Sequence, residues 1–190
     1  MCVIITWKDN EFSGTLPIAL ASLDSLSVLN LRLNSFTGSI SNNAISSLTK
    51  LQFLNFRGNS FLGSLPSSIG TFGLRQFFAH DNLLTGSIPN SFGNLTKLVN
   101  LVLGNNFLSG SVPEGFGNMP FLKELIINNN RFSGTLPSTL FKLTSLNVFF
   151  VHSNNFRGDI SLNRNNSLLL SIDISDNKFS GKIVSTIKHV

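Results

Sequence analysis

The residues able to do chemistry in this chain are few and widely spaced. His80 is followed by Asp81, and a histidine beside a carboxylate is the pair a general-base site would use. His152 stands in a similar Phe-x-His setting, seventy-two residues further on. No nucleophile elbow or glycine-rich phosphate loop accompanies either histidine, so no catalytic residue is expected. Cys2 is the single cysteine, which excludes a disulfide framework and a cysteine-based zinc site. No metal or other cofactor is expected. What remains is recognition chemistry, because guanidinium forks such as those of Arg32 and Arg57 suit carboxylate or sulfate groups. The 14 Lys and Arg against 9 Asp and Glu give a net charge of +5, but the cations are spread out. Nucleic-acid binding would need them clustered. Met1–Thr6 is too short for a signal-peptide core and no run approaches a membrane span.

A repeat positions these side chains. Glycine recurs at 14, 38, 63, 86, 110, 134, 158 and 181, at intervals of 23 to 25 residues. Four residues before each glycine stands an asparagine: Asn10, Asn34, Asn59, Asn82, Asn106, Asn130, Asn154 and Asn177. Two before each glycine is Phe or Leu, from Phe12 to Phe179. Upstream of the asparagine lie alternating apolar pairs such as Leu29 and Leu31 or Leu101 and Leu103, the period of a strand with one buried face. An asparagine amide both donates and accepts, so stacked copies would form a ladder satisfying the backbone where each strand ends. The phenylalanines would stack beneath it, and the glycine suits a turn of positive φ. Proline at 17, 66, 89, 113 and 137 fixes φ as the chain leaves that turn. Leu20, Ile69, Phe92, Phe116 and Leu140 would then face inward from the back of each coil. One such unit cannot enclose its apolar face, and stacking copies buries it.

The stretch Leu122–Leu146, LKELIINNNRFSGTLPSTLFKLTSL, shows the whole pattern and resembles the plant-type leucine-rich repeat. The resemblance covers all of residues 1–190 as one solenoid of about seven to eight repeats. It implies an α/β solenoid: a right-handed superhelix with a concave parallel β-sheet, a short second strand, and an irregular or short-helical convex side. It also implies an extracellular or cell-surface recognition module, at the plasma membrane in a full-length protein. The implied setting is the ectodomain of a plant receptor-like kinase or receptor-like protein. Its partners would be a peptide or protein ligand and a co-receptor of the same repeat class, with membrane attachment only through a segment absent from this chain. The alternatives are a secreted inhibitor of cell-wall-degrading enzymes, like the polygalacturonase inhibitors, and an ice-binding repeat protein. For the last, Thr15, Ser39, Ser64, Ser87, Ser111 and Thr135 form a hydroxyl column, which also matches the plain family consensus.

Several departures carry expectations. Ser41, Ser161 and Val184 replace the proline, predicting looser exits in repeats two, seven and eight. Asn163–Asn166 reads as a solvated loop, and the sequons at Asn94 and Asn165 are possible glycosylation sites. Paired-cysteine end caps, usual in the family, are missing, so the chain reads as a fragment of a longer solenoid with uncovered edges.

Function should sit on strand residues pointing away from the core. Four before the asparagine, Phe78, Val102, Ile126 and Phe150 would make an apolar stripe on the order of 14 Å long. It reads either as a binding surface or as ordinary cross-strand packing. Two before it, Lys8, Arg32, Arg57 and His80 form a cationic edge, with Phe53 and Gln76 bordering the same patch. The candidate ligand site is therefore Arg32, Phe53, Arg57, Gln76, Phe78, His80, Val102, Ile126 and Phe150. His80 and His152, roughly 14 Å apart across three repeats, are too distant to share a metal.

Overall fold

The computed structural model describes residues 3–162 and 169–185. The alternating apolar pairs form strands whose inward side chains, Leu29, Leu54, Phe77, Leu101 and Leu125 among them, are fully buried. Among the described residues these segments build one parallel sheet in chain order: Val3–Thr6, Leu26–Asn30, Phe53–Asn55, Gln76–Phe78, Asn100–Val102, Glu124–Ile126, Val148–Phe150 and Ser171–Asp173. Register follows the repeat, with Gln76, Phe77 and Phe78 opposite Asn100, Leu101 and Val102. A second parallel sheet stacks in the same order, from Ser13–Thr15 through Leu83–Ser87 to Lys178–Ser185. The fold is the expected leucine-rich-repeat solenoid, with a continuous second sheet.

The chain passes between the sheets at one left-handed residue per repeat. Asp9, Leu33, Gly58, Asp81, Asn105, Asn129, Ser153 and Asp176, each just before the ladder asparagine, have φ between 50° and 62°. Gly14 through Gly158 also have positive φ, but they lie within or beside the second-sheet strands rather than in the expected turn.

The asparagines form the ladder, and its wiring crosses repeats. The amide of Asn106 donates to Leu103 O and Gly104 O in its own repeat (3.1 and 3.2 Å) and to Ala79 O in the one before (3.0 Å). Its Oδ1 accepts from Leu84 N–H of the preceding repeat at 3.0 Å. Asn34, Asn59, Asn82, Asn130, Asn154 and Asn177 repeat this arrangement. Beneath it Phe36 and Phe61 stack at 6.1 Å, and Phe132, Phe156 and Phe179 at 6.0 and 6.2 Å. Leu84 and Leu108 fill the gap between these stacks and are fully buried.

On the back, Pro17, Pro66, Pro89 and Pro113 each precede a single 3₁₀ turn, such as Asn90–Asn94 and Glu114–Asn118. Leu20, Ile69, Phe92, Phe116 and Leu140 point inward and are buried. Neighbouring turns approach so closely that a Cβ on Gly93 would sit 2.9 Å from the Cα of Gly115. Pro lacks an N–H and so limits the second strand. Here the expectation of looser exits fails. Ser41 holds the proline-like φ of −71° and caps the helical turn Asn42–Ile45, its hydroxyl accepting from Asn43 N–H at 3.1 Å. That turn, closed by Ser46 N–H to Asn42 O at 2.9 Å, lies in the longest interval of the repeat, the 25 residues from Gly38 to Gly63. At Ser161 and Val184 the ladder continues, giving paired eight-residue strands, Asn155–Leu162 and Lys178–Ser185. The loop expected at Asn163–Asn166, the Asn165 sequon and the terminal Ile187–Val190 lie outside the described residues.

Candidate functional site

The first sheet places Phe53, Gln76, Phe78, Val102, Ile126 and Phe150 on its outward side, because side chains on a strand alternate between faces, and Arg32, Arg57 and His80 follow two residues beyond the ends of their strands. Phe78, Val102, Ile126 and Phe150 occupy one register row, with Asn55 before them and Asp173 after. The row is not the exposed stripe the sequence suggested. Val102 is only 7% exposed, and Phe78, Ile126 and Phe150 are half-buried. Large neighbours cover them. Phe53 packs tilted against Phe78 at 5.8 Å, His80 lies edge-on to Phe78 at 6.3 Å, and His152 contacts Phe150 at 6.2 Å. Gln76 donates to Asn100 Oδ1 at 3.0 Å alongside.

The residue type in this row also decides what happens to the backbone. Asn30, Asn55 and Asp173 fold back and accept from the N–H two residues on, at Arg32, Arg57 and Ser175 (3.3, 3.0 and 3.0 Å). Phe78, Val102, Ile126 and Phe150 have no acceptor to offer. In the four middle repeats the corresponding N–H of His80, Gly104, Asn128 and His152 therefore lacks this side-chain cap.

The expected cationic edge is corrected too. Arg32 donates to both oxygens of Asp9 (3.0 and 3.3 Å), and Arg57 Nε lies 3.4 Å from Asp81 Oδ2. Both acids occupy the left-handed position before the asparagine, one repeat away, so those two guanidinium groups are already neutralised. Lys8 is exposed, with no ion pair among the described residues. Sequence reasoning missed these acids, although their position in the repeat was a readable signal: only Gly, Asn, Asp and Ser, together with Leu33, occupy it. A side-chain chain runs along the same position, Asn129 to Asn105 and Asn105 to Asp81, both at 2.7 Å.

The two histidines differ. Burial holds the pKa of His80 below the ordinary histidine value, and Arg57 pushes it the same way against the pull of Asp81. His152 Nδ1 stands 3.1 Å from Asp173 Oδ2 without hydrogen-bond geometry. Hydrogen bonds from the Ser175 hydroxyl and N–H chiefly lower the pKa of Asp173, with His152 adding to them. Asn94 is exposed at the end of its 3₁₀ turn, which leaves that sequon accessible.

A family model described as a leucine-rich repeat region matches residues 8–173, and a second leucine-rich-repeat model matches residues 168–190. No curated protein matches by sequence. Among solved structures, the Arabidopsis receptor kinase HAESA, in complex with the peptide hormone IDA and the co-receptor SERK1, is similar with a TM-score of 0.90 and 31% identity. That match covers 94% of this chain and 30% of HAESA. The PEPR1–AtPEP1 complex matches with a TM-score of 0.88 and 29% identity, over 96% of this chain and 26% of that one. A plant ice-binding protein matches with a TM-score of 0.74 and 25% identity, over 96% of this chain and 66% of that one. The chain thus spans about a third or less of the length of the receptors it resembles.

Proposed function

Because the chain belongs to the leucine-rich repeat family, we propose that it is an extracellular recognition module of a receptor-like protein, binding an extended peptide along the outward face of its first sheet. The observation that carries this reading is the change of character in the four middle repeats. There the capping Asn and Asp give way to Phe78, Val102, Ile126 and Phe150, and the adjacent N–H row loses its side-chain acceptors. Half-buried Phe78, Ile126 and Phe150 beside N–H groups that carry no side-chain cap suit a ligand with carbonyls along one edge and apolar side chains at intervals. Repeats two, three and eight, where the caps remain, would bound the site. The likeness to HAESA and PEPR1, whose structures contain IDA and AtPEP1, supports a peptide as the ligand, and the co-receptor SERK1 in the HAESA complex supports a co-receptor as a further partner. Binding of this kind needs no chemistry from the chain.

The test uses a random extended-peptide display library selected on the wild-type protein, with IDA and AtPEP1 peptides as added probes. Selected peptides are then titrated calorimetrically against Arg57→Glu/Phe78→Ala. The double variant should keep its circular dichroism spectrum and bind at least tenfold more weakly. Equal affinity in a folded double variant would remove this face as the site.

A further inference from the structure

One side-chain amide in the middle of the first sheet's outward side has nothing within the protein to bind. Gly104 and Asn128 stand side by side two residues past their strands, in repeats five and six, where Asn105 N–H donates to Asn128 O at 3.1 Å. Gly104 is buried, and a Cβ on it would lie 2.6 Å from Asn128 Oδ1 and 3.3 Å from Asn128 Cγ. The amide of Asn128 therefore lies over Gly104, in the space a side chain there would fill. The other asparagines of this side are committed elsewhere. Asn30 and Asn55 cap the backbone, Asn100 accepts from Gln76, and Asn105 and Asn129 form the chain that ends at Asp81. Asn128 is half-buried, and its amide has no hydrogen-bond partner among the described residues. The flanking histidines offer no substitute through Nδ1, which in both His80 and His152 is buried.

Resting on the peptide-binding reading above, we infer that Asn128 reads the main chain of the ligand. Its Nδ2 donates to the carbonyl of one ligand residue, and its Oδ1 accepts from the N–H of that same residue. A side-chain amide presents a donor and an acceptor side by side. Each residue of an extended chain does the same along one edge, as when two strands exchange both bonds of a pair. The N–H groups of His80, Gly104, Asn128 and His152 can meet only carbonyls, so a ligand held by them alone keeps its own N–H groups unmatched. Asn128 Oδ1 supplies the missing acceptor at the centre of the row. The ligand residue facing Gly104 must then carry an N–H, which excludes proline at that place. Its side chain is left unread.

The probe is the tightest peptide from the display selection, remade with each backbone nitrogen methylated in turn and titrated calorimetrically against the whole chain. One methylation should weaken binding on the order of tenfold through lost hydrogen bonds. Asn128→Leu, similar in size but without an amide, should lose a comparable amount. Against that variant the same methylation should cost nothing further, the non-additivity expected of groups in direct contact. Gly104→Ala should also weaken binding with Asn128 intact. Its backbone is not left-handed, and the nearest obstacle to a Cβ is the flexible end of Asn128, which would be pushed aside. Wild-type affinity in a folded Asn128→Leu, strictly additive losses, or a peptide that tolerates every methylation would each overturn the inference. Arg57→Glu/Phe78→Ala separates the two levels. Unchanged affinity there removes the whole face as the site, whereas a loss there with Asn128→Leu unaffected removes only the Asn128 contact. A library that yields no peptide removes both.

Discussion

Replacing Asn106 by alanine tests the ladder where it is most buried. Counting bonds suggests the loss of four, about 4 kcal/mol at roughly 1 kcal/mol each. The wiring gives a smaller figure. Ala79 O keeps the Asn82 amide at 3.2 Å, Leu103 O keeps the Asn130 amide at 3.0 Å, and Gly104 O keeps Asp81 N–H at 3.1 Å. The Leu84 N–H loses the Asn106 Oδ1 acceptor, with no other side chain to replace it. A buried orphan donor costs about 1–3 kcal/mol, and the weakened carbonyl contacts bring the expected loss to about 2–3 kcal/mol. Asn10, exposed, with amide contacts only to Lys8 O and Trp7 O at 2.8 and 3.5 Å, should lose less than about 1 kcal/mol on the same change. Asn106→Asp sharpens the test. It keeps an acceptor for Leu84 but turns a carboxylate toward three carbonyls, so at neutral pH it should be less stable than Asn106→Ala and recover as acid protonates it. Repeat arrays need not unfold in one step, so denaturant melts should be paired with amide exchange at Leu84. Near-wild-type stability for Asn106→Asp, or unchanged Leu84 protection in Asn106→Ala, would refute the ladder's role.

Three further outcomes rest on local geometry. Leu33 is left-handed at φ 52° and 44% exposed, so Leu33→Asn should stabilise by about 0.5–1 kcal/mol, seen as a higher Tm. Ser41→Ala removes the cap on Asn43 N–H and should lose about 1 kcal/mol in a denaturant melt. For His80, burial lowers the folded pKa beneath 6.5, so the unfolded chain takes up the proton first. Stability is then full above that value and declines as pH falls through the window below it, and His80→Gln should flatten that part of a stability–pH profile.

Most of the scaffold could be read from sequence because its residues have single physical jobs. An asparagine four before a glycine, eight times over, has few purposes other than backbone satisfaction, and buried Phe36, Phe61 and Phe132 stack as their spacing implied. The site was harder to read because its character depends on contacts between repeats. Arg57 and Asp81 are 24 residues apart, and only the register brings the acid beside the cation. Val102 reads as an outward-facing strand residue, yet in register between Phe78 and Ile126 it is only 7% exposed. Proline absence misled for a similar reason: Ser41 is free to cap a helix, while Ser161 and Val184 are free to pair, and the local sequence downstream of each decides between the two.

The contact between Gly93 and Gly115 has a consequence for the opposite side of the coil. Strands on one side are held at the ladder spacing, so the bend of a solenoid is set by how far apart its rear segments stand, accumulated over every repeat. Two facing glycines allow the rear turns to close to backbone contact. A methyl group on either would wedge that side open and tighten the arc of the first sheet, without altering any residue a ligand touches. The radius presented to a long, stiff ligand is thereby adjustable from behind, and affinity can be tuned by residues that never meet what is bound.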